Sequence, residues 1–191
     1  GVWLDADAAP ISGQSKTGRN QVKAGGKGTQ GGSGSLAYRP GWHLGEIPYA
    51  LQFNRKNPNT GERELFPANF VWAEVEYADD VNYQEEAMNQ GVNQNGKFQH
   101  SLAGLQRVPE DGSYRYRTNP NPETDPWIIT GAMKVNRILT PSEVDAMVRE
   151  AGREPQQRQK GAINDEQVNK LNTTLGLSDS NRAGEDNQGN P

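Results

Sequence analysis

The chain has 191 residues, of which 32% are hydrophobic, and a formal net charge of −4. It has no cysteine, which excludes disulfides, zinc-thiolate sites and thiol catalysis. No apolar run approaches the roughly 18 residues of a membrane span, and no signal peptide is visible. Since the chain begins with Gly-Val-Trp rather than Met, we expect it to be a piece of a longer protein.

The charges are unevenly distributed along the chain. No acidic residue occurs from Ala8 to Gly45, whereas eight acids accompany a single base between Glu62 and Glu86. The stretch from Ala8 to Gly45 contains lysines and arginines only among its charged residues, and it is either a solvated loop or an arm that contacts phosphates. The net negative charge argues against broad affinity for nucleic acids.

Residues 1–35 are predicted to be mostly irregular. "GVWLDADAAPI" can supply one short strand, and "KAGGKGTQGGSGS" carries a glycine density whose ordering is entropically costly. We interpret this stretch as a linker or a mobile loop. It lacks the spacing of a phosphate-binding loop, so we do not assign it that role.

Ordered sequence is predicted to begin near Leu36, with a short strand that runs into the Pro40-Gly41 turn. His43 is predicted to sit in this turn, and functional groups are common in such connections. "EIPYALQFN" then predicts a helical turn or two, and "RKNPNTGERE" a loop rich in turns. "NFVWAEVEYADD" alternates as a strand does, and "NYQEEAMNQG" predicts a short helix that ends at Gly91.

Two further segments predict an antiparallel hairpin with an extended loop. In "SYRYRTNPN", alternation places Tyr114 and Tyr116 on one face and Arg115 and Arg117 on the other. "PWIITGAMKVNRIL" is predicted to form a single second strand, with a bulge at Gly131.

"TPSEVDAMVREAG" predicts a helix from local signals alone. Thr140 can cap it, Pro141 occupies the first helical position, Glu143 completes a capping box and Gly152 ends it. Beyond this helix the sequence turns polar, and "INDEQVNKLNTTLGL" predicts one isolated helix.

The predicted fold is therefore α+β, with a small, mostly antiparallel sheet, a few packed helices and flexible ends. We divide the chain into an irregular segment (1–35), a folded domain (36–152) and a polar tail with one possible short helix (153–191).

His43 is the leading candidate for chemistry, because histidine titrates near neutral pH and can act as a general base. It fits equally well as a loop residue that caps the turn. Arg115 and Arg117 can hold a phosphate as a pair, or simply form a solvated strand face. Thr130 can point a hydroxyl into a cleft, although threonine is also common in strands.

We assign further residues to substrate binding: Arg39, Trp42, Tyr116 and Lys134. A chain with two histidines and no cysteine offers no readable metal-ligand spacing, so we predict neither a metal nor a bound cofactor.

Four stretches, "LAYRPGWHLGEIP", "VWAEVEYADD", "YRYRTNPN" and "WIITGAMKVNRIL", resemble an uncharacterised domain of the large polyvalent proteins of phages and mobile elements. The resemblance covers about 60% of the chain (Leu36 to about Gly152). It implies a fragment of a multidomain protein that works in the host cytoplasm, delivered with a phage or conjugative element, and partnered by other domains of that polypeptide.

Polyvalent proteins often carry effector domains, and a weaker resemblance links the chain to metal-independent nucleases of the Barnase/EndoU/colicin/RelE group. That resemblance implies an RNA or other phosphate-bearing ligand. His43 would then deprotonate the 2′-hydroxyl, Arg115 and Arg117 would hold the phosphate, and Thr130 would position it. The sequence places no second histidine or lysine firmly as the acid.

Two alternatives stay open. ADP-ribosyltransferases use an early Arg or His for NAD, which Arg39 or His43 could supply, but the expected late glutamate is missing from "WIITGAMKVNRIL". The other alternative is a binding or packaging module without catalytic activity.

Overall fold

The structure is a computed structural model, in which the described residues form an α+β arrangement of ten strands and three helices. This confirms the predicted fold class. The described residues are 1–6, 11–14, 20–23, 35–37, 41–50, 56–98, 103–105, 107–116 and 126–177. They divide between two compact units: unit 1 is Gly1–Trp3, Ile47–Glu76 and Lys134–Pro191, and unit 2 is Leu4–Glu46 and Tyr77–Met133.

A four-stranded sheet lies in unit 2. Its strands are β5 (Trp42–Leu44), β7 (Val81–Asn82), β8 (Gly112–Tyr116) and β9 (Trp127–Thr130), in the order β5-β9-β8-β7. The pairs β5–β9 and β8–β9 are antiparallel and β7–β8 is parallel, which confirms the predicted hairpin of the Tyr-Arg strand with the following strand. His43 lies within β5 and not in a turn, so the prediction of its local structure is wrong.

A three-stranded sheet has the order β1-β10-β6, with β1 at Trp3–Asp5, β6 at Ala73–Tyr77 and β10 at Ala132–Ile138. The prediction of one continuous strand through "WIITGAMKVNRIL" is wrong, because β9 and β10 belong to different sheets. Gly131 separates them, and a Cβ there would lie 2.0 Å from the carbonyl oxygen of Pro109. Only glycine allows the backbone this approach, and the close contact accompanies the break.

A third, antiparallel sheet contains β2 (Ile11–Gln14), β3 (Asn20–Lys23) and β4 (Ser35–Ala37). The short strand predicted at Val2 to Leu4 is confirmed as β1, and the strand predicted near Leu36 is confirmed as β4. Strands β2 and β3 lie in the segment predicted to be mostly irregular.

The three helices are α1 (Gln84–Asn89), α2 (Pro141–Glu150) and α3 (Asp165–Leu175), as the sequence predicted for each. In α2 both hydrogen bonds of the predicted capping box between Thr140 and Glu143 are present. The helical turn predicted from "EIPYALQFN" is absent from 46–50, and the remainder of that stretch lies outside the described residues.

Each unit has its own apolar core. In unit 1, Leu139, Val144 and Val148 are buried, with Tyr49 and Trp72 packed against them. In unit 2 the buried cluster consists of Ala87, Ala103, Leu105, Val108, Tyr114, Tyr116 and Ile129.

Helix α3 lies in the stretch predicted as a polar tail, yet it is integrated into unit 1. Val168 is fully buried there. The Asn172 side chain both donates to the carbonyl oxygen and accepts from the N–H of Ile138, each at 2.8 Å. This carboxamide therefore pairs with the end of β10 as another strand would.

Candidate functional site

His43 is exposed on β5, where it faces Ile129 of the neighbouring strand. Its Nδ1 lies 3.1 Å from the carbonyl oxygen of Gly41, and because a carbonyl only accepts, Nδ1 carries the hydrogen in this contact. Gly41 has φ +117°, and a Cβ there would lie 2.7 Å from the Ile129 side chain. The glycine before Trp42 is thus required for β5 to approach β9.

Strand register places His43 and Arg115 on opposite faces of the four-stranded sheet. Ile129 is directly opposite both His43 on one side and Tyr114 on the other, whereas Ile128 is opposite Arg115. Directly paired residues share a face, and successive residues of a strand alternate between faces. The structure therefore does not bring His43, the predicted base, together with Arg115 of the predicted phosphate clamp.

A ring contact supports this assignment of faces. The His43 and Trp127 rings meet edge-on, with centroids 6.4 Å apart. Trp127 is two residues from Ile129 in β9, so the two share a face, and this is the face to which the register assigns His43.

Thr130 is fully buried. Its hydroxyl oxygen lies 3.0 Å from the carbonyl oxygens of Ala78 and Ala132 and 3.2 Å from that of Gly112. A hydroxyl has one hydrogen, so it donates to one of these carbonyls at a time. The hydroxyl predicted to position a phosphate therefore links backbone segments inside unit 2.

The predicted binding residues Trp42 and Tyr116 have structural contacts in unit 2. The indole N–H of half-buried Trp42 donates to the carbonyl oxygen of Leu4 at 2.9 Å. Tyr116 belongs to the buried cluster. Neither side chain lines the groove that contains Arg115.

Lys134 belongs to unit 1 and not to the unit of His43 and Arg115. Its ammonium nitrogen forms an ion pair with Glu76 at 2.5 Å and lies 5.4 Å from the centroid of a Trp3 ring. Arg39 and Arg117 lie outside the described residues.

A groove of about 380 Å³ lies on the Arg115 face of unit 2. We name it the Arg115 groove. Its lining includes Tyr77, Asp79, Asn82, Gln84, Ser113 and Arg115, with Ile128 also contributing. Ser113, Arg115 and Ile128 share one sheet face by register, so the groove lies over that face.

The groove is anchored by Gln84, the first residue of α1. Its carboxamide oxygen accepts from the backbone N–H of Arg115 at 2.7 Å, and its nitrogen donates to the Arg115 carbonyl at 3.1 Å. This side chain continues the pairing of β8 where the two-residue strand β7 ends. Asn82 in turn accepts from the backbone N–H of Gln84 at 2.9 Å.

A second contact ties the segment that follows β7 to the turn before β8. The Tyr83 hydroxyl donates to the Asp111 carboxylate at 2.9 Å. Partial burial and this hydrogen bond raise the pKa of Tyr83, so the phenol stays protonated and remains a donor. Gly112 is needed between them, since a Cβ there would lie 2.4 Å from the Tyr83 ring.

The Arg115 guanidinium is partly neutralised by Glu46, whose carboxylate lies 2.5 Å away. Both side chains are about half exposed, so the pair contributes about 0–1 kcal/mol to stability. The Asp79 carboxylate, the Ser113 hydroxyl and the Tyr77 hydroxyl have no hydrogen-bond partner within the described part of the chain. These groups are available to a ligand.

No family model, curated protein or solved structure matches this chain.

Among the described residues, no group of three or more His, Asp or Glu side chains could hold a metal ion. Of the helices in the same residues, none is long and apolar enough to cross a membrane.

Sequence reasoning identified Arg115 in the groove but missed its neighbours. Ser113 could have been found, because it precedes Arg115 by two positions on the same strand and so shares its face. Asp79 lies in the stretch "NFVWAEVEYADD", where the alternation predicted a strand and gave Asp79 no binding role. The role of Gln84 has no sequence signal, since its two hydrogen bonds are made across 31 positions.

Proposed function

We propose that the chain is a non-catalytic binding module whose ligand site is the Arg115 groove. The observation that carries this proposal is the strand register, which assigns His43 and Arg115 to opposite faces of one sheet. A module of this kind is what the resemblance to a domain of phage and mobile-element polyvalent proteins also allows.

Ribonuclease chemistry demands a different arrangement. A general base must come within about 2.6–3.2 Å of the proton it removes, directly or through one water, while the clamp holds the adjacent phosphate. A phosphate on Arg115 would be separated from His43 by the sheet itself. The buried hydroxyl of Thr130 is equally unsuited to contact a scissile phosphate.

The groove has the features of a preformed binding site. Its volume falls at the small end of the roughly 300–1,000 Å³ typical of ligand pockets. Gln84 fixes the backbone of Arg115 before any ligand arrives, which lowers the entropic cost of binding. Unpartnered polar groups line its walls.

The decisive experiment measures catalysis directly. Purified protein is incubated with RNA in EDTA, and separately with NAD, and the products are analysed for 2′,3′-cyclic phosphate and for nicotinamide. We expect neither product, and we expect the His43→Ala variant to behave as the wild type. If the wild type cleaves RNA and His43→Ala does not, the proposal is overturned and the nuclease hypothesis is supported.

A further inference from the structure

The charges around the Arg115 groove indicate which ligands it favours. Asp79 lines it with a negative charge, and the positive charge of Arg115 is paired with Glu46. The local balance of these three groups is therefore negative by one charge. A phosphate, a nucleic acid or a free carboxylate would meet Asp79 and compete with Glu46 for the guanidinium.

The hydrogen-bonding groups of the groove are mixed in type. Asp79 only accepts, the remaining guanidinium N–H groups of Arg115 only donate, and the hydroxyls of Ser113 and Tyr77 do both. The Asn82 side-chain oxygen already accepts from Gln84, so its amide nitrogen is left as a donor. A neutral ligand that fills this groove needs closely spaced groups that can both donate and accept.

Vicinal hydroxyls on a compact ring meet these requirements. Each hydroxyl can donate to Asp79 or accept from Arg115 without bringing charge into the groove. The half-buried Tyr77 lines the groove, and its ring offers apolar surface for the C–H face of such a ring. Building on the proposed function, we propose that the Arg115 groove binds a neutral, polyhydroxylated ligand, a saccharide unit.

Three hydrogen bonds hold the backbone of the groove in place before a ligand binds. The Gln84 carboxamide holds the Arg115 backbone at both its N–H and its carbonyl, and the Asn82 side chain holds the backbone of Gln84. Donors fixed before binding lose less entropy when the ligand arrives. Replacing the Arg115 side chain leaves this backbone pairing intact, so its variants test binding apart from folding.

The test is a titration followed on the backbone amides of Ser113 and Arg115 by NMR. The probes are neutral trisaccharides of glucose and of N-acetylglucosamine, with free glycine and inorganic phosphate as the other arms. We expect saturable shifts of the groove amides with a neutral trisaccharide. The apparent Kd should rise about tenfold or more in Arg115→Gln and in Asp79→Asn, because each change removes a charge-assisted hydrogen bond.

Two further variants serve as controls for the titration. Lys97→Gln removes an exposed cation of unit 2 outside the groove and should leave the Kd unchanged. Glu46→Gln removes the carboxylate that pairs with the Arg115 guanidinium, which leaves the charges of Asp79 and Arg115 in balance, and should not weaken saccharide binding. The amide spectrum of each variant verifies that unit 2 is folded.

The outcomes separate this inference from the function on which it rests. If phosphate or glycine alone shifts the groove amides, the saccharide assignment is overturned and the binding module stands. If no trisaccharide shifts them, the assignment also fails. RNA cleavage that depends on His43 would instead overturn the binding module itself.

Discussion

Replacing Thr130 with valine tests whether its hydroxyl is structural. Valine keeps the shape of the side chain and replaces the buried hydroxyl by a methyl group. The carbonyl oxygens of Gly112 and Ala132 also accept from the backbone N–H groups of Gly131 and Ala78, at 3.2 Å and 3.0 Å. The loss therefore falls chiefly on the Ala78 carbonyl, which accepts from Thr130 at 3.0 Å.

The expected cost follows from general magnitudes. A hydrogen bond contributes about 0.5–1.5 kcal/mol net, and an interior acceptor left without a donor costs about 1–3 kcal/mol. The added methyl group recovers up to about 0.8 kcal/mol through burial. We expect the free energy of unfolding of unit 2 to fall by about 1–2 kcal/mol in Thr130→Val.

Urea unfolding followed on amide resonances of unit 2 measures this change. Thr174→Val in α3 is the control, and it is followed on amide resonances of unit 1, because that hydroxyl is exposed and donates to a carbonyl of its own helix. The control should change stability by no more than about 0.5 kcal/mol. If Thr130→Val is as stable as the wild type, the structural role of the hydroxyl is refuted.

Three further predictions concern Gly131, Gln84 and Glu143. Gly131→Ala should prevent unit 2 from folding normally, since its Cβ would meet Pro109 at 2.0 Å; a native-like amide spectrum would contradict this. Gln84→Ala should destabilise unit 2 by about 1–3 kcal/mol and speed hydrogen exchange at the Arg115 amide, whereas unchanged exchange would show that the carboxamide does not protect it. Partial burial alone would raise the pKa of Glu143, but hydrogen bonds from Thr140 and Arg137 lower it overall. The ionised Glu143 carboxylate therefore stabilises unit 1 fully above the unfolded-state pKa, and this stabilisation is lost as pH falls through the lower folded-state pKa. Acid should consequently destabilise unit 1 less in Glu143→Gln than in the wild type, as urea unfolding at several pH values would show.

Local sequence rules predicted the features that depend on neighbours in the chain. Helix α2 is the clearest case, because Thr140, Pro141 and Glu143 act within a single turn. The alternation of "SYRY" likewise predicted that Tyr114 and Arg115 occupy opposite faces of the strand, and in the structure Tyr114 is buried and Arg115 exposed.

The features that the sequence could not supply depend on distant contacts. Glycine at position 131 suggested a bulge, but the break between two sheets depends on the approach of Pro109. The burial of Thr130 depends on Ala78, 52 positions away. The face occupied by His43 depends on the register of β5 against β9, which three residues of local sequence do not fix.

Measuring the register of β5 against β9 tests most directly whether His43 and Arg115 lie on opposite faces of the sheet. A slip of one residue would move His43 to the face of Arg115 and restore the predicted nuclease arrangement. Interstrand NOEs on the intact protein report this pairing. We predict contacts that place His43 opposite Ile129 and Arg115 opposite Ile128. NOEs that instead place His43 opposite Ile128 or Thr130 would contradict the assignment of His43 and Arg115 to opposite faces.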